Sequence, residues 1–204
     1  MHYSKKAEHI YAVISKLNNE LANCNRELEQ KNYELNCVNK KFSQMLNTDY
    51  LTGLFSRKFI QDKLNYFITT IDPTIYDTCI MFGDIDYFKK VNDTYGHTSG
   101  DQVLITVSKT IKESIPKNSF AGRLGGEEFL IILEDLNTEQ AKIIENKIRL
   151  SLTNIQISNH CQDITLSWGI TTIKKGDTVD SILTRSDNAM YNSKKSGKNQ
   201  STIC

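Results

Sequence analysis

The chain has 204 residues, 39% of them hydrophobic and 24% charged, with a formal net charge of +1. That is enough for one ordinary domain with a real core plus an appendage. A charge so near zero excludes a strong field for gathering a nucleic acid polymer or an anionic membrane.

Apolar runs reach only about five residues, as in Phe129 to Leu133, so no membrane span is expected. The polar amino terminus carries no apolar signal core, which points to the cytoplasm. Cys24, Cys37, Cys79, Cys161 and Cys204 are odd in number, scattered, and never in a CxxC pair. They read as free thiols in a reducing compartment and speak against zinc.

Residues 1–46 contain neither proline nor glycine. Ala7, Ile14, Leu21, Leu28, Leu35 and Phe42 fall at heptad a, and Tyr3, Ile10, Leu17, Cys24, Lys31, Val38 and Met45 at d. An apolar seam sustained over about six heptads predicts a coiled coil, with Lys31 as its polar exception. A helix packed back on its own domain is the alternative, but about 45 helical residues extend ~65 Å, longer than a small domain covers. Glu20, Glu27 and Glu34 lie at g, and Asn18, Asn25, Asn32 and Asn39 at e. Such pairs give little ionic specificity; a parallel homodimer is preferred.

From residue 47 on, helical periodicity fits Arg57 to Ile71, Asp101 to Ser114, Thr138 to Leu152 and Thr178 to Lys194. Strands fit Thr78 to Phe82, Phe120 to Leu124, Phe129 to Leu133 and Ile164 to Ile173. Asn137 or Thr138 can cap the third helix. Because the central strand pair is a hairpin, the order predicts an α+β domain of ferredoxin-like type with a mostly antiparallel sheet flanked by helices. Neither a Walker A loop nor a GxGxxG turn is present.

The hairpin reads Gly122-Arg123-Leu124-Gly125-Gly126-Glu127-Glu128-Phe129. Two glycines between apolar strands require positive φ or close approach of a ligand. Two carboxylates directly after them repel unless a cation intervenes, which suggests magnesium and a nucleotide. The first strand runs out through Gly83-Asp84-Ile85-Asp86, beside that hairpin. Asp84 is placed to share a metal with Glu127 or Glu128. Asp84 and Asp86 share a face if the strand persists and diverge if it bends. Asp86 and Asp93 have helix capping as their structural alternative. Gly96-His97-Thr98-Ser99-Gly100-Asp101 reads as a loop feeding a helix that starts near Asp101. Asn92 and Asp101 offer an amide and a carboxylate of the kind that read a purine edge; a carboxylate accepts from the donor pair of guanine.

Together these segments resemble the GGDEF family of diguanylate cyclases over about residues 47 to 204. The likeness rests on Asp49-Tyr50-Leu51-Thr52-Gly53-Leu54-Phe55-Ser56-Arg57, on Asp84 through Asp101, and on Gly125-Gly126-Glu127-Glu128-Phe129. It continues in Ser167-Trp168-Gly169-Ile170, in Arg185-Ser186-Asp187-Asn188-Ala189-Met190-Tyr191, and in Lys194 with Gly197-Lys198-Asn199. The resemblance implies a catalytic domain at 47–204 behind a dimerising helix at 1–46. It implies condensation of two GTP molecules, one per subunit, into cyclic di-GMP and two pyrophosphates across a two-fold interface of facing catalytic domains. Two magnesium ions, for which manganese can substitute, would be held by Asp84, Glu128 and the Ile85 carbonyl, with Glu127 beside them. Glu127 and Glu128 are the implied catalytic pair, Glu127 assisting deprotonation of the 3′-hydroxyl. Asn92 and Asp101 would read guanine and His97 would lie near the nucleotide. Lys89, Lys194 and Lys198 would meet phosphate oxygens, and Gly125 and Gly126 would let the α-phosphate approach.

Four departures stand out. The window for the family's arginine-x-x-aspartate inhibitory site reads Pro116-Lys117-Asn118-Ser119, so product inhibition there is not expected. Ser56 replaces the more usual asparagine. Lys198 stands where arginine is common, keeping charge without the fork. Glu127 replaces the more usual aspartate. A silent nucleotide-binding module and a cyclase making cyclic GMP-AMP are the competing functions. Retention of the glycines and acids argues against the first, and retention of Asp101 against the second.

Overall fold

The computed structural model describes residues 16–17, 19–35, 38, 47–73, 75–153, 155–157 and 160–204. The chain divides into two units, residues 1–44 and 45–204. In the first, helix α1 runs through residues 19–35. Leu17, Leu21, Leu28, Leu35 and Val38, all assigned to the heptad seam, are 57% to 61% exposed. Lys31, the polar seam residue, pairs with Glu34 at 2.9 Å, an exposed contact of little energetic weight. Tyr3, Ala7, Ile10, Ile14, Phe42 and Met45 of the expected seam lie outside the described residues, as do Asn18 and Asn39.

The second unit contains α2 (Arg57–Thr70), β1 (Thr78–Ile85), α3 (Phe88–Tyr95), α4 (His97–Ser114), β2 (Phe120–Gly125) and β3 (Glu128–Glu134). There follow α5 (Thr138–Ser151), β4 (Ile155–Ile157), β5 (His160–Gln162), β6 (Leu166–Thr172), α6 (Val179–Lys195) and β7 (Ser201–Ile203). The main sheet has the order β2-β3-β1-β6-β7, and β4 with β5 forms a separate hairpin. All pairings in the main sheet are antiparallel except β6 with β7. This is the ferredoxin-like, palm-type α+β arrangement.

The uninterrupted apolar strands follow from burial of both faces. Cys79 and Met81 of β1, with Phe129, Ile131 and Leu133 of β3, pack in one cluster with Val103, Val107 and Ile111 of α4 and Ile144 and Ile148 of α5. The alternate residues Ile80, Phe82, Leu130 and Ile132 pack in the other, with Ile60, Leu64 and Phe67 of α2 and Ile182 and Met190 of α6. A period of two thus divides each strand between two helical layers. Phe129 through Leu133 are fully buried, each stabilising by roughly 1.5–3 kcal/mol on the transfer scale. Asn137 caps α5 in a reciprocal box with Gln140, and Thr178 does the same for α6 with Ser181.

The structure departs from expectation between β1 and β2. Helix α3 was not evident in the sequence: it has only 8 residues and buries Phe88 alone. Helix α4 begins at His97 rather than Asp101, with Gly96 as its N-cap at φ +83°. The small polar residues that read as a loop are therefore its first turn. Neither Asp86 nor Asp93 caps a helix. The N-cap of α3 is Tyr87, at φ +58° and without a side-chain cap bond.

Candidate active site

Strand β1 ends between its two neighbours, so Asp84 is paired in register with Glu128 on one side and with Ser167 on the other. The diglycine turn closes onto that end, where the Ile85 N–H donates to the Glu127 carbonyl at 3.2 Å. Gly125 and Gly126 have φ of +152° and +50°, and a Cβ added to either would meet nothing within 4 Å. Backbone conformation, rather than crowding, requires glycine there. The open space before the turn leaves its backbone accessible to a ligand.

The turn is braced from below. Arg123 donates to the Gly126 carbonyl from Nε at 3.0 Å and Nη2 at 2.7 Å, and Nη1 reaches Asp49 at 3.2 Å. Asp49 also accepts from the Thr52 N–H and hydroxyl. Burial alone would raise the Asp49 carboxyl, but Thr52 and Arg123 together hold it below its ordinary value. The early Asp49-Thr52 motif thereby anchors the turn, a role with no signal in the sequence beyond the presence of both segments.

The acids at the mouth are short of positive charge. Burial pushes the Asp84 carboxyl up; Lys194 draws it back, while Asp86 and Asp187 push it further. Glu127 is raised by burial and by the charges of Asp84 and Glu128, against Lys194. Glu128 is raised by burial, Asp84 and Asp187, against Arg57 and Lys194. Lys194, from the last turn of α6, sits 2.8 Å from Asp84 Oδ1. That oxygen is buried and has no other donor among the described residues. Asp187 and Arg57 are charged neighbours of these acids that the motifs contained but to which sequence reasoning gave no role.

Asp86 is different. Its carboxylate accepts from the Thr165 hydroxyl at 2.8 Å, the Ser167 hydroxyl at 2.7 Å and the Asn199 N–H at 3.0 Å. It ties β6 and the loop after α6 to the end of β1 and keeps no oxygen in reserve.

The remaining predicted residues lie on α3, on α4 and in the loop after α6. Asn92 of α3 lies against Gly100 of α4, where an added Cβ would collide with the Asn92 amide. The absent side chain thus lets Asn92 sit beside the backbone that carries Asp101. His97 opens α4, and His97, Asp101 and Lys89 are exposed. Lys198, at φ +64°, holds its ammonium 4.6 Å over the Tyr87 ring.

Among the described residues no set of three or more His, Cys, Asp or Glu side chains is gathered so as to hold a metal ion. The carboxylates nonetheless suit a hard cation that arrives with its own ligands. Magnesium binds through one or two carboxylates and keeps waters and substrate phosphates for the rest of its shell. Asp84 Oδ1, buried and answered by one ammonium alone, is the oxygen that fits such a role.

Residues 46–200 match the family model described as diguanylate cyclase, GGDEF domain. The chain is 37% identical over 160 residues to the probable diguanylate cyclase DgcT of Escherichia coli, covering 76% of this chain and 35% of that protein. It is 32% identical over 157 residues to the response regulator PleD of Caulobacter vibrioides, covering 74% and 35%. It therefore spans about a third of the length of these relatives. A solved structure of the coiled coil and GGDEF domain of DgcB from Caulobacter crescentus, in complex with c-di-GMP, superposes with a TM-score of 0.79 at 30% identity, covering 92% of this chain and 99% of that one. The DgcB GGDEF domain in complex with c-di-GMP gives 0.73 at 33% identity, covering 77% and 95%. By the extent of the family match and the agreement of fold, the chain belongs to the GGDEF-domain diguanylate cyclase family.

Proposed function

We propose that this chain is a diguanylate cyclase that condenses two GTP molecules into cyclic di-GMP with release of two pyrophosphates. The observation that carries this reading is the pairing of Asp84 with Glu128 and of the Ile85 N–H with the Glu127 carbonyl beside an open diglycine turn, with Lys194 on Asp84. Two magnesium or manganese ions, bound through Asp84, Glu128 and the Ile85 carbonyl, would supply charge neutralisation for a phosphate under attack. Glu127, beside them and raised in pKa, is suited to take the proton of a 3′-hydroxyl. Gly125 and Gly126 offer the α-phosphate close access, and Lys89, Lys194 and Lys198 offer cations to the other phosphates. Asn92 and Asp101 read the guanine edge, with His97 near the nucleotide.

Each half-site holds one GTP, so the reaction needs two copies of the domain facing each other. Residues 1–46 would bring them together as a coiled coil, raising the effective concentration of the second half-site for residues 47–204. The exposed seam of Leu17, Leu21, Leu28, Leu35 and Val38 supports a second copy as the occupant. Parallel pairing sets Glu20 and Glu27 against asparagines, whereas antiparallel pairing sets glutamate against glutamate. No helix among the described residues is long and apolar enough to cross a membrane, and the cytoplasm, where GTP is found, is the proposed location.

The test is product identity. Purified protein with magnesium and GTP, ATP or both should yield cyclic di-GMP from GTP alone. A mixed product would indicate a hybrid cyclase, and GTP binding without turnover a silent module. Calorimetry should detect no tight binding of cyclic di-GMP at Pro116 to Ser119, where the inhibitory arginine and aspartate are missing.

A further inference from the structure

The ammonium that holds Asp84 occupies the place where a divalent cation has to bind. Lys194 lies 2.8 Å from Asp84 Oδ1, an oxygen that is buried and has no other donor among the described residues. The Asp84 side chain is 9% exposed and that of Lys194 is 28% exposed. Lysine carries its charge on a flexible four-carbon stem and can swing without disturbing its helix. In the proposed loaded site, two like-signed cations at one carboxylate oxygen would repel strongly in a half-desolvated setting. Lys194 acts on Asp84, Glu127 and Glu128 alike. Arg57 acts on Glu128.

We propose that Lys194 is an internal stand-in for the metal, exchanged from Asp84 to a nucleotide phosphate when a divalent cation binds. The proposal rests on the reading of Asp84 as a metal ligand. Its consequence is that metal and triphosphate bind cooperatively. A divalent cation alone must displace Lys194 and leave that ammonium without an acceptor. A triphosphate supplies the acceptor, so each ligand favours the other. The site therefore discriminates against metal without nucleotide, while Asp84 keeps one counter-ion between turnovers.

The test uses Mn2+ alone, titrated into the full chain without nucleotide and followed by electron paramagnetic resonance. Lys194→Met and Lys194→Gln should bind Mn2+ about tenfold more tightly than the unmodified chain, equivalent to ~1.4 kcal/mol. In the unmodified chain a non-hydrolysable GTP analogue should tighten Mn2+ binding, and in both variants that gain should shrink. Lys198→Met removes a charge held over Tyr87, and so measures the effect of any nearby cation; its change should be much smaller. Equal changes for Lys194→Met and Lys198→Met, or unchanged or weaker Mn2+ binding in both Lys194 variants, would overturn the exchange. Asp84→Asn separates the two levels. If it abolishes Mn2+ binding while the Lys194 variants are silent, the exchange alone is wrong. If it leaves Mn2+ affinity intact, the metal assignment fails as well.

Discussion

Helix α6 carries an ion pair near each end, and the two are built differently. Near its start, Arg185 donates to Asp177 from Nη1 at 2.9 Å and Nη2 at 2.7 Å, to the Thr171 hydroxyl at 2.8 Å and to the Thr172 carbonyl at 2.8 Å. Asp177 also accepts from the Lys174 N–H and the Ser181 hydroxyl. Its partners, Arg185 first, outweigh burial and bring its carboxyl down to about 2. Near the other end, Lys194 serves Asp84, while Asp84, Glu127 and Glu128 are all pushed upward, burial being the first cause in each. One pair is saturated and fastens α6 to β6. The other is deficient in positive charge, as suits the proposal that the site takes its remaining cations from solution.

The sharpest way to break that contrast is to cut the saturated pair. Arg185→Ala leaves Asp177 without its main counter-ion and removes a donor from two β6 groups. It should cost about 3 kcal/mol of stability, read as a lowered urea midpoint. The next effect is in pH. The folded Asp177 pKa lies below the unfolded value, so its stabilisation is present above about 4 and is lost as pH falls toward about 2. That contribution is about 1–2 kcal/mol, and Asp177→Asn should be flat through the same window. The deficient pair should behave oppositely. Asp84, Glu127 and Glu128 are raised on folding, so metal-free protein should lose stability as pH climbs above the ordinary carboxylate range. Asp84→Asn removes a penalised charge together with its Lys194 contact, and should shift stability by less than about 1 kcal/mol. A loss as large as that of Arg185→Ala would mean the two pairs are alike.

Much of the deficient site could be read from the sequence because its signals are local. Gly125-Gly126 between apolar runs marked a turn, and the acids beside it repel one another wherever the chain goes. Asp84 closes a strand whose neighbours were identifiable from their apolar runs. What escaped was tertiary. Arg123 and Asp49 lie 74 residues apart, and no pattern in either segment announces that they pair. The composition of His97 to Gly100 says loop, yet Gly100 is helical and leaves the space that the Asn92 amide fills. The parallel partner of β6, strand β7, is only 3 residues long, too short to carry a periodicity. Asp86 had helix capping as its structural alternative in sequence; the hydrogen bonds from Thr165, Ser167 and Asn199 instead make it a tie between β1, β6 and the loop after α6.

The most direct measurement is the rate of cyclic di-GMP formation by Asp84→Asn beside the unmodified chain, at saturating GTP and magnesium, with both confirmed as folded. The proposed role of the acids as a cation grip predicts a loss of roughly 100-fold or more. A variant within about twofold of the unmodified rate, far below what one electrostatic contact at a reacting phosphate is worth, would contradict it.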